Sequence, residues 1–274
     1  MTQAETSAAR VRGRRPPQGD PVVDRAFALL AAFDAGHRSL TLGELARRSG
    51  IPTSSTLRLA NRLLAWGALE RGVDGRFTIG LRLWEVAALA PRALGLREVA
   101  LPYMRDLSEV TRQHILLAVR EGHDAVLVER LSAHQAMPVL YYVGGRLPLH
   151  STGVGLVLLA SAPAGFQEEV LSLPLVHEPE KIPVSPAALR RTLAQVRRDG
   201  LATIRRRVPQ PLVTVAAPVF DAEEKVVASL SVLVPEEGAD PRVLGPAVRT
   251  AARAVSRGLG SRKAAAAPEA GSRP

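Results

Sequence analysis

The chain has 274 residues, of which 46% are hydrophobic, and it contains no cysteine. It is long enough for two domains with a sizeable core, and it cannot form disulfide bonds or thiolate zinc sites. No apolar run can span a bilayer and the arginine-rich N-terminus has no apolar signal core, so we expect a protein of a bacterial-type cytoplasm. The net charge of +10 favours a polyanionic partner, although an arginine-rich composition is also typical of a GC-rich genome.

Residues 1–20 are expected to form a disordered basic arm. The arm contains four arginines followed by two prolines: Arg10, Arg12, Arg14, Arg15, Pro16 and Pro17. Such an arm can enter the minor groove of DNA. A solvated tail that only aids solubility has the same composition, and the residues leave both interpretations open.

Residues 21–80 begin with two predicted helices. The first runs from Val22 to Ala35, and its apolar face is predicted to consist of Val23, Phe27, Leu30 and Ala31. The second begins after Thr41, and Glu44 follows at the spacing of a capping box, in which each residue's side chain bonds the other's backbone N–H.

A third helix is predicted from about Thr53 to Trp66, because Gly50 ends the preceding helix and Pro52 opens this one. Its inner face is predicted to consist of Thr56, Leu59, Ala60, Leu63 and Gly67. Its outer face has no acidic residue, whereas a merely solvated helix face usually carries some. The hydroxyl, guanidinium and amide groups found there are the types that contact phosphates and base edges. We therefore expect this helix to enter a major groove.

The candidate DNA contacts on this helix divide into two roles. Arg58 and Asn61 are expected to read base edges. Residues expected to meet the sugar–phosphate backbone are Ser54, Ser55 and Arg62, and Thr53 at the start of the helix completes the set.

The next segment, "ALERGVDGRFTIG", is predicted to form a β-hairpin around the turn "VDG". Arg71 and Arg76 flank its tip and are candidate phosphate contacts, although a surface hairpin with chance arginines fits equally well. Three helices followed by a hairpin is the order of a winged helix-turn-helix.

The remaining chain is predicted to contain a linker and a second domain. Residues 81–96 form the linker helix, whose apolar face could pair with a second copy and consists of Leu83, Trp84, Ala87 and Ala88. Residues 97–260 mix helices with strands, the strands including "HILLAVREGHDAVLVERL" as a hairpin, "MPVLYYVGG", "LATIRRR", "LVTVAAPVF" and "VVASLSVLV". This mixture predicts an α+β domain with an antiparallel sheet. Residues 261–274 are expected to be disordered.

Together these stretches resemble the IclR family, the isocitrate lyase regulator type of bacterial transcription factor. The resemblance covers roughly residues 22–260 and rests on "LTLGELARRSGIPTSSTLRLANRLLAWGALE", "GGRLPLHSTGVGLVLLA", "VRRDGLA" and "VTVAAPVFDAEEKVVASLSV". It implies a winged helix-turn-helix joined by a helix to a GAF-like effector domain. It also implies a homodimer or dimer of dimers that binds double-stranded operator DNA and represses or activates in response to a small molecule, often an organic acid.

By the family pattern, the effector cavity is lined by Ser151, Thr152, Gly153, Thr214 and Ser231. The backbone amides at the start of the "STGVG" helix favour an anion, although ordinary capping and close packing also explain these residues. Where family members commonly carry acids, this chain has Ile204 followed by Arg205, Arg206 and Arg207. Alternation along a strand would send Arg206 to one face and its two neighbours to the other, and the sequence does not decide which face meets the cavity.

Catalytic chemistry finds little support in the sequence. The six histidines lack metal-ligand spacing to one another, and a G-x-x-x-x-G-K phosphate loop is absent. His150 stands beside Ser151, but no G-x-S-x-G elbow surrounds the serine. We therefore expect no enzyme activity, cofactor or metal. The alternative is a GAF-like small-molecule sensor or enzyme without operator binding, which would have no use for the outer face of helix 53–66.

Overall fold

The computed structural model describes residues 21–133, 136, 141–177, 182–207, 210–237 and 239–266, and it divides into two compact units after Ala90. The helices of the first unit are α1 (Val22–Ala31), α2 (Leu42–Ser49), α3 (Thr53–Trp66) and α4 (Leu81–Ala87). Its strands are β1 (Ser39–Leu40), β2 (Leu69–Arg71) and β3 (Phe77–Ile79), in the order β1-β3-β2. Three helices followed by the antiparallel β2–β3 hairpin confirm the predicted winged helix-turn-helix.

The turn between α2 and α3 has the predicted signals. The Thr41 hydroxyl accepts a hydrogen bond from the Glu44 backbone N–H, and the Glu44 carboxylate accepts one from the Thr41 N–H at 2.8 Å. Gly50 ends α2 with φ of 70°, a left-handed conformation that favours glycine. The inner face of α3 is also as predicted, because Thr56, Leu59 and Ala60 are buried in the core of this unit.

The predicted apolar face of α1 is wrong for three of its four residues, and of the four only Leu30 packs against the core of this unit. Leu29 and Ala32 are the buried apolar residues, whereas Val23 and Phe27 are about 60% exposed. The helix also ends at Ala31 instead of Ala35. Arg48 of α2 accounts for this early end, since its Nε donates to the Ala32 carbonyl at 2.6 Å and its guanidinium also contacts Asp34.

The second unit contains six helices and eight strands among the residues described. Its helices are α5 (Pro91–Thr111), α6 (Gly153–Ala160), α7 (Ala164–Leu171), α8 (Pro186–Asp199), α9 (Pro241–Gly258) and α10 (Arg262–Ala266). Its strands are β4 (His114–Glu121), β5 (Asp124–Leu131), β6 (Arg146–Pro148), β7 (Val176–His177), β8 (Ile182–Pro183), β9 (Ala202–Arg206), β10 (Leu212–Phe220) and β11 (Val226–Pro235).

Six of these strands form one antiparallel sheet in the order β6-β5-β4-β11-β10-β9, and β7 pairs with β8. One face of the large sheet packs against α6, α7 and α8, and the other packs against α5 and α9. The predicted α+β class with an antiparallel sheet is therefore confirmed. Its central strands are buried on both sides, which explains their nearly continuous apolar sequences.

Further predicted features differ from the structure or lie beyond it. The predicted linker helix 81–96 is not one helix, because α4 ends at Ala87 and α5 begins at Pro91. Of the predicted strand "MPVLYYVGG", residues 137–140 lie outside the described residues and 141–145 form a turn before β6. The tail predicted to be disordered from residue 261 instead begins with α10, because the Glu224 carboxylate accepts hydrogen bonds from the Arg262 and Lys263 N–H groups. The predicted arm, residues 1–20, and residues 267–274 lie outside the described part of the chain.

Candidate nucleic-acid interface and ligand cavity

The outer face of α3 is open to solvent, as its acid-free sequence led us to expect. Thr53, Ser54, Arg58, Asn61 and Arg62 are exposed. Among the described residues, none offers these side chains a hydrogen bond or an ion pair, so their polar groups are available to an external partner.

The start of α3 is anchored from its buried side. Thr56 is fully buried, and its hydroxyl donates to the Ile51 carbonyl at 3.1 Å. Pro52 is the N-cap residue and provides no side-chain cap, so the first backbone N–H groups of the helix keep their partial positive charge. Ser55 is half-buried at this end. Hydroxyls and amides at a helix start form a suitable phosphate contact.

The two hairpin arginines have different surroundings. Arg71 is exposed; its Nε donates to the Gly75 carbonyl at 3.1 Å, and its guanidinium lies 5.3 Å from the centre of the Phe77 ring. Arg76 is half-buried and donates to the Glu44 carboxylate at 2.9 Å and to the Ser39 carbonyl at 2.9 Å. Arg76 thus ties the hairpin to the start of α2, and its charge is partly balanced within the protein.

A cavity in the second unit brings together all five residues of the predicted effector site. Its lining consists of Leu116, Tyr141, Leu147, Ser151, Thr152, Gly153, Val154, Ile204, Arg206, Thr214, Ser231 and Leu233. The empty space between these residues, counted together with the solvent at the open mouth, is about 320 Å³, of which about 20 Å³ can hold the centre of a water-sized molecule. The cavity lies between the N-terminal end of α6 and the face of the sheet formed by β9, β10 and β11.

Two buried serines point to a ligand or to water in this cavity. Ser151 is 2% exposed and Ser231 is fully buried, and the hydroxyl oxygen of each has no hydrogen-bond partner among the described residues. A buried hydroxyl without a partner costs free energy, so a polar group bound between them would be favoured.

Thr152 and Gly153 have structural roles beside these serines. The Thr152 hydroxyl caps α6 by accepting from the Gly155 N–H at 3.1 Å, and it donates to the Pro148 carbonyl at 2.8 Å. A Cβ atom at Gly153 would lie 2.7 Å from Cγ2 of Thr214. Only glycine therefore lets the start of α6 approach the sheet this closely.

The structure shows which arginine of the 205–207 run meets the cavity. Arg206 lines it, half-buried, and its Nη1 donates to the Tyr141 hydroxyl at 2.6 Å. Arg205 is exposed on the opposite face and pairs with Glu236 at 3.1 Å, and Arg207 is exposed. Strand alternation predicted that Arg206 and its two neighbours lie on opposite faces, but not which face meets the cavity. Nothing in the sequence indicated that Tyr141 would line the cavity.

The histidines do not form a catalytic or metal-binding cluster within the described ranges. No group of three or more potential ligands is placed to hold a metal there. His150 Nε2 lies 2.8 Å from the Val176 carbonyl, so this nitrogen is not positioned to activate Ser151 as a nucleophile. None of the described helices is sufficiently long and apolar to cross a membrane.

Both units match known families. Residues 22–72 match the IclR helix-turn-helix domain, and residues 89–257 match the C-terminal domain of the bacterial transcriptional regulator IclR. Among relatives, the regulator BhcR of Paracoccus denitrificans is 30% identical over 92% of this chain and 91% of its own. The transcriptional repressor IclR of Escherichia coli is 27% identical over 82% of this chain and 86% of its own.

Solved structures show the same architecture. An IclR homolog from Microbacterium hydrocarbonoxydans, crystallised as a complex with 4-hydroxybenzoate, superimposes with a TM-score of 0.82. It is 36% identical, and the match covers 87% of this chain and 99% of that one.

Proposed function

The chain belongs to the IclR family of bacterial transcriptional regulators, and from this premise we propose that the acid-free outer face of α3 reads an operator while a small organic acid in the cavity controls that binding. The family pairs a helix-turn-helix DNA-binding domain with a ligand-binding C-terminal domain. The observation that carries the operator proposal is the exposed row Arg58, Asn61 and Arg62, whose side chains have no partner among the described residues.

The roles on α3 follow from the chemistry of its side chains. Arg58 and Asn61 carry paired donors or a donor–acceptor pair, which suit guanine and adenine edges in the major groove. Ser54 and Ser55 lie at the uncapped helix start and Arg62 lies further along the same helix, where we assign them to phosphates. In the hairpin, exposed Arg71 is a better phosphate contact than Arg76, because Arg76 is engaged by Glu44.

The effector is proposed to be a small organic acid. The hydroxyls of Ser151 and Ser231 can donate hydrogen bonds to it, and the positive end of the α6 dipole favours its negative charge. Arg206 is the one charged residue among the described residues that line the cavity, so the charge of the lining favours an anion. Because the Microbacterium protein is a complex with 4-hydroxybenzoate, hydroxylated aromatic acids are the first compounds to test.

Self-association is proposed from apolar surface on α1 and α4. Phe27 on α1 is 63% exposed, and on α4 Leu81 and Trp84 are 63% and 64% exposed. A contiguous exposed apolar patch marks a protein–protein interface, and we propose that these side chains form one. A homodimer, or a dimer of dimers, would place two α3 helices on the two halves of a symmetric operator.

The remaining functional proposals follow from the regulatory role. We infer that the protein acts in the cytoplasm, where bacterial DNA is located, and that it has no enzyme activity and needs no cofactor.

A binding experiment on the full chain tests the proposal. Fluorescence anisotropy with a labelled DNA fragment from upstream of its own gene should give specific affinity on the order of 10⁻⁸ M or tighter at physiological salt. A panel of organic acids is then added, and at least one acid should shift this affinity. Equal affinity for that fragment and for unrelated DNA would contradict operator recognition, and indifference to every acid would contradict acid control.

A further inference from the structure

The cavity has polar groups at two separate places on the sheet. Ser231 on β11 is paired with Ala216 on β10, which is paired with Ala202 on β9. Arg206 lies four residues beyond Ala202 on the same strand. With standard strand spacings, the Cα atoms of Ser231 and Arg206 are therefore on the order of 15 Å apart.

The floor between these two ends is largely apolar. The cross-strand row that separates them consists of Ile204, Thr214 and Leu233. Leu116 and Leu147 add further apolar surface to the lining. Such a surface accommodates a hydrocarbon or aromatic ring better than a fully polar molecule.

The Arg206 end provides a formal positive charge. Arg206 Nη1 donates to the Tyr141 hydroxyl, so that hydroxyl keeps its own proton to donate. The position of Tyr141 is fixed in turn, because its backbone carbonyl accepts a hydrogen bond from Arg130 on β5. A guanidinium beside a phenol donor is a strong recognition site for a carboxylate.

The serine end has no formal charge among the described residues. The Ser151 and Ser231 hydroxyls can each donate and accept, and the start of α6 adds partial positive charge only. Burying a carboxylate costs more than burying a hydroxyl unless a full charge pairs with it. The two ends therefore differ in the group that they favour.

Resting on the proposed acid effector, we propose that the cavity binds a rod-shaped acid with polar groups at both ends. Arg206 and Tyr141 hold the carboxylate, and Ser151 and Ser231 hold a neutral hydrogen-bonding group at the far end. The aromatic or aliphatic body lies over Ile204, Thr214 and Leu233. This orientation makes Arg206 the residue that determines specificity for acids.

Calorimetric titration of the full chain with three matched probes tests this orientation. The probes are 4-hydroxybenzoate, benzoate, which lacks the hydroxyl, and 4-hydroxybenzamide, which has a neutral group in place of the carboxylate. The wild-type protein should prefer 4-hydroxybenzoate to each of the others by about tenfold or more. In Arg206→Gln the affinity for 4-hydroxybenzoate relative to 4-hydroxybenzamide should fall to a ratio close to one. Its affinity relative to benzoate should remain as in the wild type. Ser231→Ala should lose the preference for 4-hydroxybenzoate over benzoate and keep the preference for it over 4-hydroxybenzamide.

Two variants keep the test decisive. Arg205→Gln changes the neighbouring arginine, which faces away from the cavity and pairs with Glu236, and it should bind all three probes as the wild type does. Arg206→Lys keeps the positive charge and should retain most of the preference for the acid. This variant takes the place of Arg206→Gln in the test if Arg206→Gln does not fold.

Two outcomes would overturn the inference. One is loss of the acid preference in Ser231→Ala together with its retention in Arg206→Gln, which would place the carboxylate at the start of α6. The other is failure of all three probes to bind the wild type. The broader proposal of acid control fails separately, only if the wider acid panel also leaves operator binding unchanged.

Discussion

Arg76 and Glu44, which are 32 residues apart in the chain, form an ion pair with a distance of 2.9 Å between Nη2 and Oε2. Glu44 is at the same time the acidic member of the capping box that begins α2. Arg76 also donates to the Ser39 carbonyl on β1. The hairpin, the first strand and the start of α2 therefore share one polar junction.

Replacing Arg76 with methionine should destabilise the first unit. The change removes the donors to Glu44 and Ser39 but keeps much of the aliphatic volume, so we expect the unfolding midpoint to fall by a few degrees. Arg71→Met is the matched control in the same hairpin and should lower the unfolding midpoint by less. Both tryptophans, Trp66 and Trp84, lie in this unit, so their fluorescence reports its unfolding. A greater loss in Arg71→Met would contradict the structural role of Arg76.

The junction should also make the stability of the first unit depend on pH. The hydrogen bond from the Thr41 backbone N–H, assisted by the Thr41 hydroxyl and the charge of Arg76, lowers the pKa of Glu44 below its ordinary value of 4.5. Because the folded state favours the carboxylate, this stabilisation is fully present above the unfolded pKa and is lost as the pH falls through the lower folded pKa.

We therefore expect Glu44→Gln to be less stable than the wild type at neutral pH, with a difference that shrinks as the pH falls below 4.5. Denaturant unfolding followed by tryptophan fluorescence over a pH series measures this difference. A difference that grows towards acid pH would show that the capping carboxylate does not stabilise this unit.

Two arginines on α3 should have separable effects on DNA binding. Arg58→Ala should cost about 1–3 kcal/mol on the operator and relax the preference at one base pair. Arg62→Ala should weaken binding to all sequences alike and reduce the salt slope by about 1.

Anisotropy titrations over a series of salt concentrations and single-base operator variants measure both effects. Arg191→Ala, an exposed arginine on α8, is the matched control and should bind as the wild type does. A uniform loss for Arg58→Ala would assign that residue to the backbone instead of a base.

Gly153 should tolerate no side chain while Thr214 is present. A Cβ atom there would lie 2.7 Å from Cγ2 of Thr214, so we expect Gly153→Ala to cost about 1–3 kcal/mol through overpacking. Adding Thr214→Ser removes that methyl group and should restore part of the loss, as thermal unfolding followed by circular dichroism would show. Equal stability of Gly153→Ala and the wild type would mean that the close approach of α6 to the sheet is not required.

Trp84 should contribute to self-association. It is 64% exposed on α4, and Trp84→Glu should shift the protein towards monomer in light-scattering measurements because a charge would be buried in the proposed interface. Val73, at the tip of the hairpin, is also fully exposed, and Val73→Glu should leave the oligomeric state unchanged. An unchanged assembly in Trp84→Glu would exclude this face of α4 as the interface.

The sequence by itself determined the features that depend on local geometry. The capping box of Thr41 and Glu44, the glycine that ends α2 and the inner face of α3 all follow from residues within a few positions of each other. Hydrophobic period and turn residues indicated the α+β class in the same way. The family resemblance then identified five cavity residues, whose roles in binding stay a prediction.

Only the tertiary structure decided which distant groups meet. It turned Arg206 towards the cavity and Arg205 away, placed Tyr141 beside Arg206, and gave Arg76 a carboxylate partner in α2. It also buried Leu29 of α1 and Ala32, the residue after that helix, in place of the predicted Val23 and Phe27. The physical reason is that side-chain alternation fixes which residues share a face, whereas the packing of other elements decides which face is buried.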